Sequence, residues 1–287
     1  MKIIKKMKNK ISDIIKLKNQ ASPFSTLTAY DFPTAKIINS LDIPLVLIGD
    51  SASMVVYGYN DTTKISMDEL LLVTKAVSRG IDKAILVGDM PFMSYQPSIE
   101  QAVNNAGRFI KEGKVDAVKL EGGIEYVNQI KEIIKAGIPV MGHIGLTPQS
   151  VLQESGYKIK GKTSNEALKI YQDALILEAA GVFAIVLEGV PEELAQIITE
   201  KLNIPTIGIG AGKYCDGQIQ VLHDLVGFFG LKIPKHAKAY ANIEKNIKDG
   251  IKQYQLDVNN KKFPKNQNIT EMKPTELLEL KKKIENL

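Results

Sequence analysis

Asp50 and Asp89 stand in near-identical settings, LVLIGDS and ILVGDMP, and Glu121 closes a third run of the same kind, AVKLE. Carboxylates on neighbouring strand tips supply the hard oxygen donors that a divalent cation takes. A cation that keeps positions for water and substrate favours Mg²⁺. The other reading is that the acids cap the following helices or pair with Lys119. That lysine lies two positions before Glu121 and so on the same side of a strand. Three uncompensated anions on one rim would repel, which argues for a cation among them. Glu188 ends another run, AIVLE, amid apolar neighbours, a setting that suits a general base acting on carbon. It could also be a rim carboxylate bonded to backbone. His143, in GHIGLTPQS, could donate to an oxyanion or a substrate carbonyl, or be a satisfied structural residue. Lys119 could hold a developing negative charge or only balance the carboxylates.

These residues belong to a larger pattern. Eight short apolar runs end on polar or acidic residues: FSTLTAYD on Tyr30 and Asp31, PLVLIGD on Asp50, AILVGD on Asp89, AVKLE on Lys119 and Glu121, PVMGH on His143, AIVLE on Glu188, PTIGIGAG on glycines, and QIQVLHD on His223 and Asp224. Continuous aliphatic runs suit strands buried on both faces of a parallel sheet. The intervening segments 33–40, 67–79, 98–111, 124–135, 165–180 and 191–201 read as helices. Ser66 and Ser98 are placed to cap, Pro33 and Pro191 suit first turns, and Gly113, Gly137 and Gly181 suit helix ends. Alternation at this spacing predicts a (β/α)₈ TIM barrel, an α/β fold whose active sites are built at the C-terminal rim of the strands. The division expected is an N-terminal amphipathic helix over 1–20, a catalytic barrel over 21–260 and a peripheral C-terminal tail over 261–287. In the first segment Ile3, Ile4, Met7, Ile11, Ile14 and Ile15 form the apolar face, which would cap the barrel or touch a partner subunit.

At 287 residues and 44% hydrophobic content, the chain suits one barrel with a sizeable core. No run reaches the length of a membrane span. The Lys-rich start has no uninterrupted apolar stretch, so no secretory signal is expected. Cys215 is the sole cysteine, which fits a reducing compartment, and a cytoplasmic location is the expectation. The net charge of +5 is unevenly spread. Residues 1–20 carry seven Lys against one Asp, and residues 231–287 carry thirteen Lys against seven acids. That leaves residues 21–230 with 17 basic and 24 acidic groups, a net of −7. With Arg79 and Arg108 as its only arginines, the chain does not read as a nucleic-acid binder; the Lys-rich ends read as solvated helix faces. The GIGAG stretch fails the dinucleotide fingerprint, because Lys213 occupies the third glycine position. In a barrel such glycines let backbone approach a ligand.

Seven segments in order, DSASMVVYGYNDT, GDMPFMSY, VKLEGG, GHIGLTPQS, VLEGVP, GIGAG and DGQIQVLHD, resemble the 3-methyl-2-oxobutanoate hydroxymethyltransferase family over about Thr26 to Lys238. The resemblance implies a (β/α)₈ enzyme of pantothenate synthesis that transfers a one-carbon unit from 5,10-methylenetetrahydrofolate to 2-oxoisovalerate using Mg²⁺. It implies Asp50 and Asp89 as metal ligands, with Glu121 near the metal or on it through water. Ser51 and its backbone, with Lys119, would hold the oxo acid, and Glu188 would be the base. Tyr30 and His143 match positions that line the same pocket. A homo-oligomer, commonly of ten subunits, is implied as well. The chain departs from the family at Asn60, where members usually carry His, and at Lys162, where they carry Arg. It departs again in the segment after Phe263 and Pro264.

The competing enzyme reading is a metal-dependent barrel of the isocitrate lyase and phosphoenolpyruvate mutase type, which would use the same chelated 2-oxo acid. Nothing in the chain resembles the catalytic cysteine motif of such lyases, since Cys215 sits in the seventh loop. A non-catalytic barrel would leave the polar rim without a reason.

Overall fold

The apolar runs fold as eight strands: β1 Phe24–Thr28, β2 Leu45–Ile48, β3 Ile85–Asp89, β4 Ala117–Glu121, β5 Val140–Gly145, β6 Ala184–Glu188, β7 Thr206–Ile209 and β8 Gly217–Gln220. Each pairs in parallel with the next, and β8 pairs with β1, so the sheet closes into a barrel. The computed structural model describes residues 8–18, 20, 22–154, 156, 158–228 and 234–287. The chain divides into two compact units, Met1–Tyr240 and Ala241–Leu287. The first contains the barrel. The second contains the helices Ile243–Asn259 and Pro274–Glu285, neither of which buries a residue.

Period-two alternation sorts every strand into an inside and an outside. Leu45, Leu47, Ile85, Val87, Ala117, Met141, Val186, Ile207, Ile209 and Ile219 form one apolar cluster within the barrel. Their neighbours Val46, Ile48, Leu86, Val118, Leu120, Val140, Ile185 and Leu187 join the helices in a second, outer cluster. The helices follow the predicted segments to within a few residues. Ser66 and Glu69 make a reciprocal capping box at the start of Met67–Ser78. Ser98 caps Ile99–Arg108, which continues as a π-helical turn over Phe109–Gly113. The segment predicted over 124–135 starts as a 3₁₀ turn, Ile124–Tyr126, before the α-helix Val127–Lys135.

Of the expected N-terminal helix the structure describes Ile11–Ile15, while Ile3, Ile4 and Met7 lie outside the described residues. Ile14 is fully buried within the inner cluster, with Ile11, Leu17 and Phe24 packed against it, so this helix plugs the end of the barrel opposite the charged rim. The lysines of this segment are not all solvated. Lys18, its side chain 6% exposed, pairs with Asp216 at 3.1 Å, while also donating to the Thr199 carbonyl. Lys8 reaches Asp116 at 2.7 Å. These two lysines tie the plug to the barrel. Among the described residues no helix is long and apolar enough to cross a membrane.

Candidate active site

The inward set of that alternation continues upward from the aliphatic layers into Asp89, Lys119, Glu121, His143 and Glu188. Strand register places Asp89 beside Lys119, Glu121 beside His143, and Gly145 beside Glu188. Asp50 follows β2 by two residues, and its backbone N–H donates to Asp89 Oδ2 at 3.1 Å. These groups line one cavity of about 710 Å³, together with Ser51 and the apolar Leu146, Ile159, Val186, Ile209 and Ile219. In the closed strand order β6 is diametrically opposite β2, so Glu188 faces Asp50 across the barrel mouth.

Lys119 is the cation of the site. Its Nζ lies 2.7 Å from Asp89 Oδ1 and 4.0 Å from Glu121 Oε1, with side-chain exposure of only 4%. Burial opposes its charge, but Asp89, Glu121 and Asp50 outweigh burial and hold its pKa above the ordinary lysine range. Asp50 is pushed well above the usual carboxylate range by burial first, and then by Asp89 and Glu121. Burial raises Asp89 as well, despite the Lys119 pair. Glu121 goes the other way: burial opposes its charge, yet His143, Lys119 and the Gln149 amide hold its pKa down. His143 has both ring nitrogens against protein groups. Nδ1 is 3.1 Å from Lys119 Nζ and 3.5 Å from Glu121 Oε1, and Nε2 is 3.2 Å from Glu188 Oε2. Burial and Lys119 act to lower its pKa, but the two carboxylates prevail and push it up to about 9. The ring thus lies beside Glu121 and Glu188, with Nε2 lacking a well-directed hydrogen bond; the sequence left open both a donor to an oxyanion or substrate carbonyl and a satisfied structural residue.

The donor set fits a divalent ion of the magnesium type. Asp50 and Asp89 are buried carboxyl oxygen donors in contact with the cavity. Asp89 Oδ1 and Glu121 Oε1 are buried acceptors without a well-directed hydrogen bond. Mg²⁺ is held in proteins by one or two carboxylates, with water and substrate completing its shell. The three carboxylates expected from the sequence do not converge as one cluster. Among the described residues no three of His, Cys, Asp or Glu do so. Glu121 Oε2 accepts from the Gln149 backbone N–H at 3.0 Å while its Oε1 turns to His143, so Glu121 stands beside the aspartate pair.

Ser51 lines the cavity, and its Oγ lies 2.8 Å from the Tyr30 hydroxyl, so Tyr30 meets the site through Ser51. His223 and Asp224, read as a strand end, instead open the short helix Leu222–Val226; Asp224 reaches the cavity and His223 packs against Tyr30. Within GIGAG, Gly210 lines the cavity, and a Cβ there would fall 3.0 Å from His236 Cβ. At Gly212 a Cβ would fall 2.4 Å from Glu192 Cγ, so these glycines admit side chains of this chain. One residue of the site lay unmarked in the sequence. Gln149, on the 3₁₀ turn Pro148–Ser150 after β5, is buried and donates from Nε2 to Asp50 Oδ2. The one signal for it was its place in GHIGLTPQS, because a neutral side chain on a loop escapes a search for charges at strand ends.

The sequence profile of the ketopantoate hydroxymethyltransferase family matches residues 8–266. The chain is 54% identical over 258 residues to 3-methyl-2-oxobutanoate hydroxymethyltransferase of Clostridium botulinum strain Langeland, covering 90% of this chain and 94% of that protein. It is 52% identical to the protein of the same name from Dehalococcoides mccartyi strain CBDB1, covering 90% and 92%. Among solved structures it is similar to phosphonopyruvate hydrolase, with a TM-score of 0.60, 11% identity and 96% of each chain covered. It is also similar to 2,3-dimethylmalate lyase, a member of the PEP mutase/isocitrate lyase superfamily, with a TM-score of 0.56, 15% identity and 96% of each chain covered. At that identity the structural likeness speaks for the barrel alone, while the sequence matches, which span nine-tenths of the chain, decide the family. This chain belongs to the ketopantoate hydroxymethyltransferase family.

Proposed function

We propose that this protein moves a hydroxymethyl group from 5,10-methylenetetrahydrofolate to 3-methyl-2-oxobutanoate, giving 2-dehydropantoate for pantothenate synthesis. The observation that carries this reading is that Glu188, on the strand opposite β2, lines the same cavity as Asp50, Asp89 and Lys119. The names carried by relatives at 52–54% identity support it. A structural neighbour, phosphonopyruvate hydrolase, was solved in complex with oxalate and Mg²⁺, which supports the assignment of the metal.

In this reading Asp50 and Asp89 hold Mg²⁺, with Glu121 beside it or joined through water. Bound there, the ion supplies Lewis-acid polarisation of a 2-oxo acid. Ser51 and Lys119 orient the acid. Glu188 takes the C3 proton, and Lys119, kept charged by its three carboxylates, stands ready to balance the negative charge that grows on the keto oxygen. The carbanionic C3 then forms a bond to the folate's methylene carbon; the two C–N bonds of that carbon break, each nitrogen takes a proton, and one water supplies the oxygen of the new hydroxyl, with the C3 proton held by Glu188 completing the proton count. His143 stands between Glu188 and Glu121, with Nε2 3.2 Å from the one and Nδ1 3.5 Å from the other, and so flanks the base on one side. The cavity exceeds what a five-carbon acid fills and falls in the range of drug-sized ligands. The remainder, walled by Leu146, Ile159, Ile209 and Ile219, has room for the second substrate. A cytoplasmic homo-oligomer, of ten subunits by family resemblance, belongs to the same proposal, and native mass measurement tests it.

The deciding experiment follows exchange of the C3 proton of 3-methyl-2-oxobutanoate in deuterated water, with Mg²⁺ added and then chelated, followed by product formation with and without the folate. Metal-dependent exchange and folate-dependent product are expected. Absence of exchange, or folate-independent cleavage of a longer oxo acid, would overturn the reading in favour of a lyase.

A further inference from the structure

We propose that Gln149 is a positioning residue, one that sets the carboxylate of Asp50 for the cation; this rests on the reading that Asp50 binds Mg²⁺. Gln149 is 3% exposed. Both protons of its carboxamide are committed, one to Asp50 Oδ2 and one to the Met90 carbonyl, each at 2.9 Å. Its Oε1 accepts from Gln96 Nε2 at 3.2 Å and lies 3.2 Å from the Tyr95 hydroxyl. The Met90 carbonyl can only accept, so the amide has one possible orientation. Its backbone N–H meanwhile holds Glu121 Oε2. One residue thus ties the ends of β2, β3 and β4 to the loop that follows β5. It occupies one oxygen on each of two acidic side chains and leaves Asp50 Oδ1 as the oxygen to present.

The chemistry of the group matters. A lysine here would neutralise Asp50 and compete with a cation, and a carboxylate would repel it. A carboxamide holds Asp50 by one directed bond, while its second N–H anchors it to the Met90 carbonyl, and it adds no charge. Supports of this kind, one step removed from a metal, typically change metal affinity or activity by 10- to 100-fold when removed. The same geometry closes off Asp50 from rotating toward Lys119, which already serves Asp89.

The test uses full-length protein carrying Gln149→Met, which keeps the shape and removes both donors. The Mg²⁺ dissociation constant is read by titration calorimetry, and the exchange reaction is followed across a range of Mg²⁺ concentrations. Gln149→Met is expected to weaken Mg²⁺ about tenfold or more, with kcat returning to within about threefold of the wild type at saturating metal. Gln96→Leu, which removes a contact only on the Oε1 side, is expected to stay within about threefold throughout. If Gln149→Met does not fold, Gln149→Asn, whose amide is drawn back by one methylene, serves in its place with the same expectation. Wild-type Mg²⁺ affinity in a folded variant, or a kcat loss that metal does not repair, overturns the positioning role. A wild-type protein that binds no Mg²⁺ would instead sink the functional reading beneath it.

Discussion

His143 bridges the two chemical ends of the cavity, with Nε2 3.2 Å from Glu188 Oε2 and Nδ1 3.5 Å from Glu121 Oε1. The Glu188 carboxylate, beside an imidazole on one side and open to the cavity, is placed as a general base needs to be. Glu188→Gln keeps the length of the side chain and its reach to His143 but cannot accept a proton. The variant should bind 3-methyl-2-oxobutanoate with Mg²⁺ much as the wild type does, and lose C3 proton exchange by roughly 10²–10⁴-fold. Proton NMR in deuterated water reads both quantities, and exchange at the wild-type rate would remove Glu188 from the mechanism.

The backbone beside that base has no room to spare. Gly145, the register partner of Glu188, has φ +99°, and a Cβ there would fall 2.3 Å from the Glu188 carbonyl oxygen. The same carbonyl accepts the Leu146 N–H at 2.8 Å. Gly145→Ala therefore adds a backbone collision to left-handed strain and displaces Glu188. Gly137, at φ +88°, has nothing within 4 Å of an added Cβ, so Gly137→Ala carries the strain alone. The expected losses of stability are about 1 kcal/mol at Gly137 and roughly 2 kcal/mol or more at Gly145, with activity falling only in the latter. Equal melting temperatures for the two variants would contradict the collision.

Much of this arrangement was legible because a closed parallel barrel imposes period two on every strand. Val87 and Asp89 point inward together, as do Ala117, Lys119 and Glu121, so a charge at the end of an aliphatic run belongs at the mouth by its sequence position alone. Two things were not legible. Gln149 carries no charge and sits on a turn, and its importance comes from Met90 and Asp50, 59 and 99 residues away in the chain. His143 was recognised as polar and inward, but which groups its two nitrogens meet depends on the spacing between β4, β5 and β6. Lys18 shows the same limit, since its charge looked like a solvated face and proved to be a part-buried tie to Asp216.

Asp50 gives a prediction in which stability and metal binding part company. Burial, Asp89 and Glu121 raise its pKa, so the folded state without metal disfavours the anion that the unfolded chain bears readily. Stability from this group is present below the unfolded carboxylate pKa and is lost as pH rises through the higher folded value. Asp50→Asn removes that penalty while keeping a side-chain oxygen. In the presence of a chelator at neutral pH the variant should melt no lower than the wild type. With Mg²⁺ the order should reverse, because binding to the folded state alone adds about 2.7 kcal/mol at a hundredfold excess over Kd. Scanning calorimetry with and without Mg²⁺ reads both, and a metal-induced rise retained in Asp50→Asn would remove Asp50 from the ligand set.

His223 lies one layer behind the site and reports on acid stability. Its ring stacks on Phe228 at 5.2 Å and 14°, and meets Tyr30 edge-on at 5.2 Å; Tyr30 in turn reaches Ser51. Burial holds its pKa below the ordinary value of 6.5, with Asp31 opposing only in part, and Nδ1 is buried with no partner among the described residues. Below pH 6.5 the unfolded chain takes up a proton that the folded chain refuses, so the contribution of neutral His223 is present above that pH and is lost as pH falls. His223→Phe keeps an aromatic ring between Phe228 and Tyr30 and cannot take the proton. Between about pH 7.5 and pH 5 its melting temperature should fall less than that of the wild type. Parallel curves over that interval would show that the buried ring is not what the acid attacks.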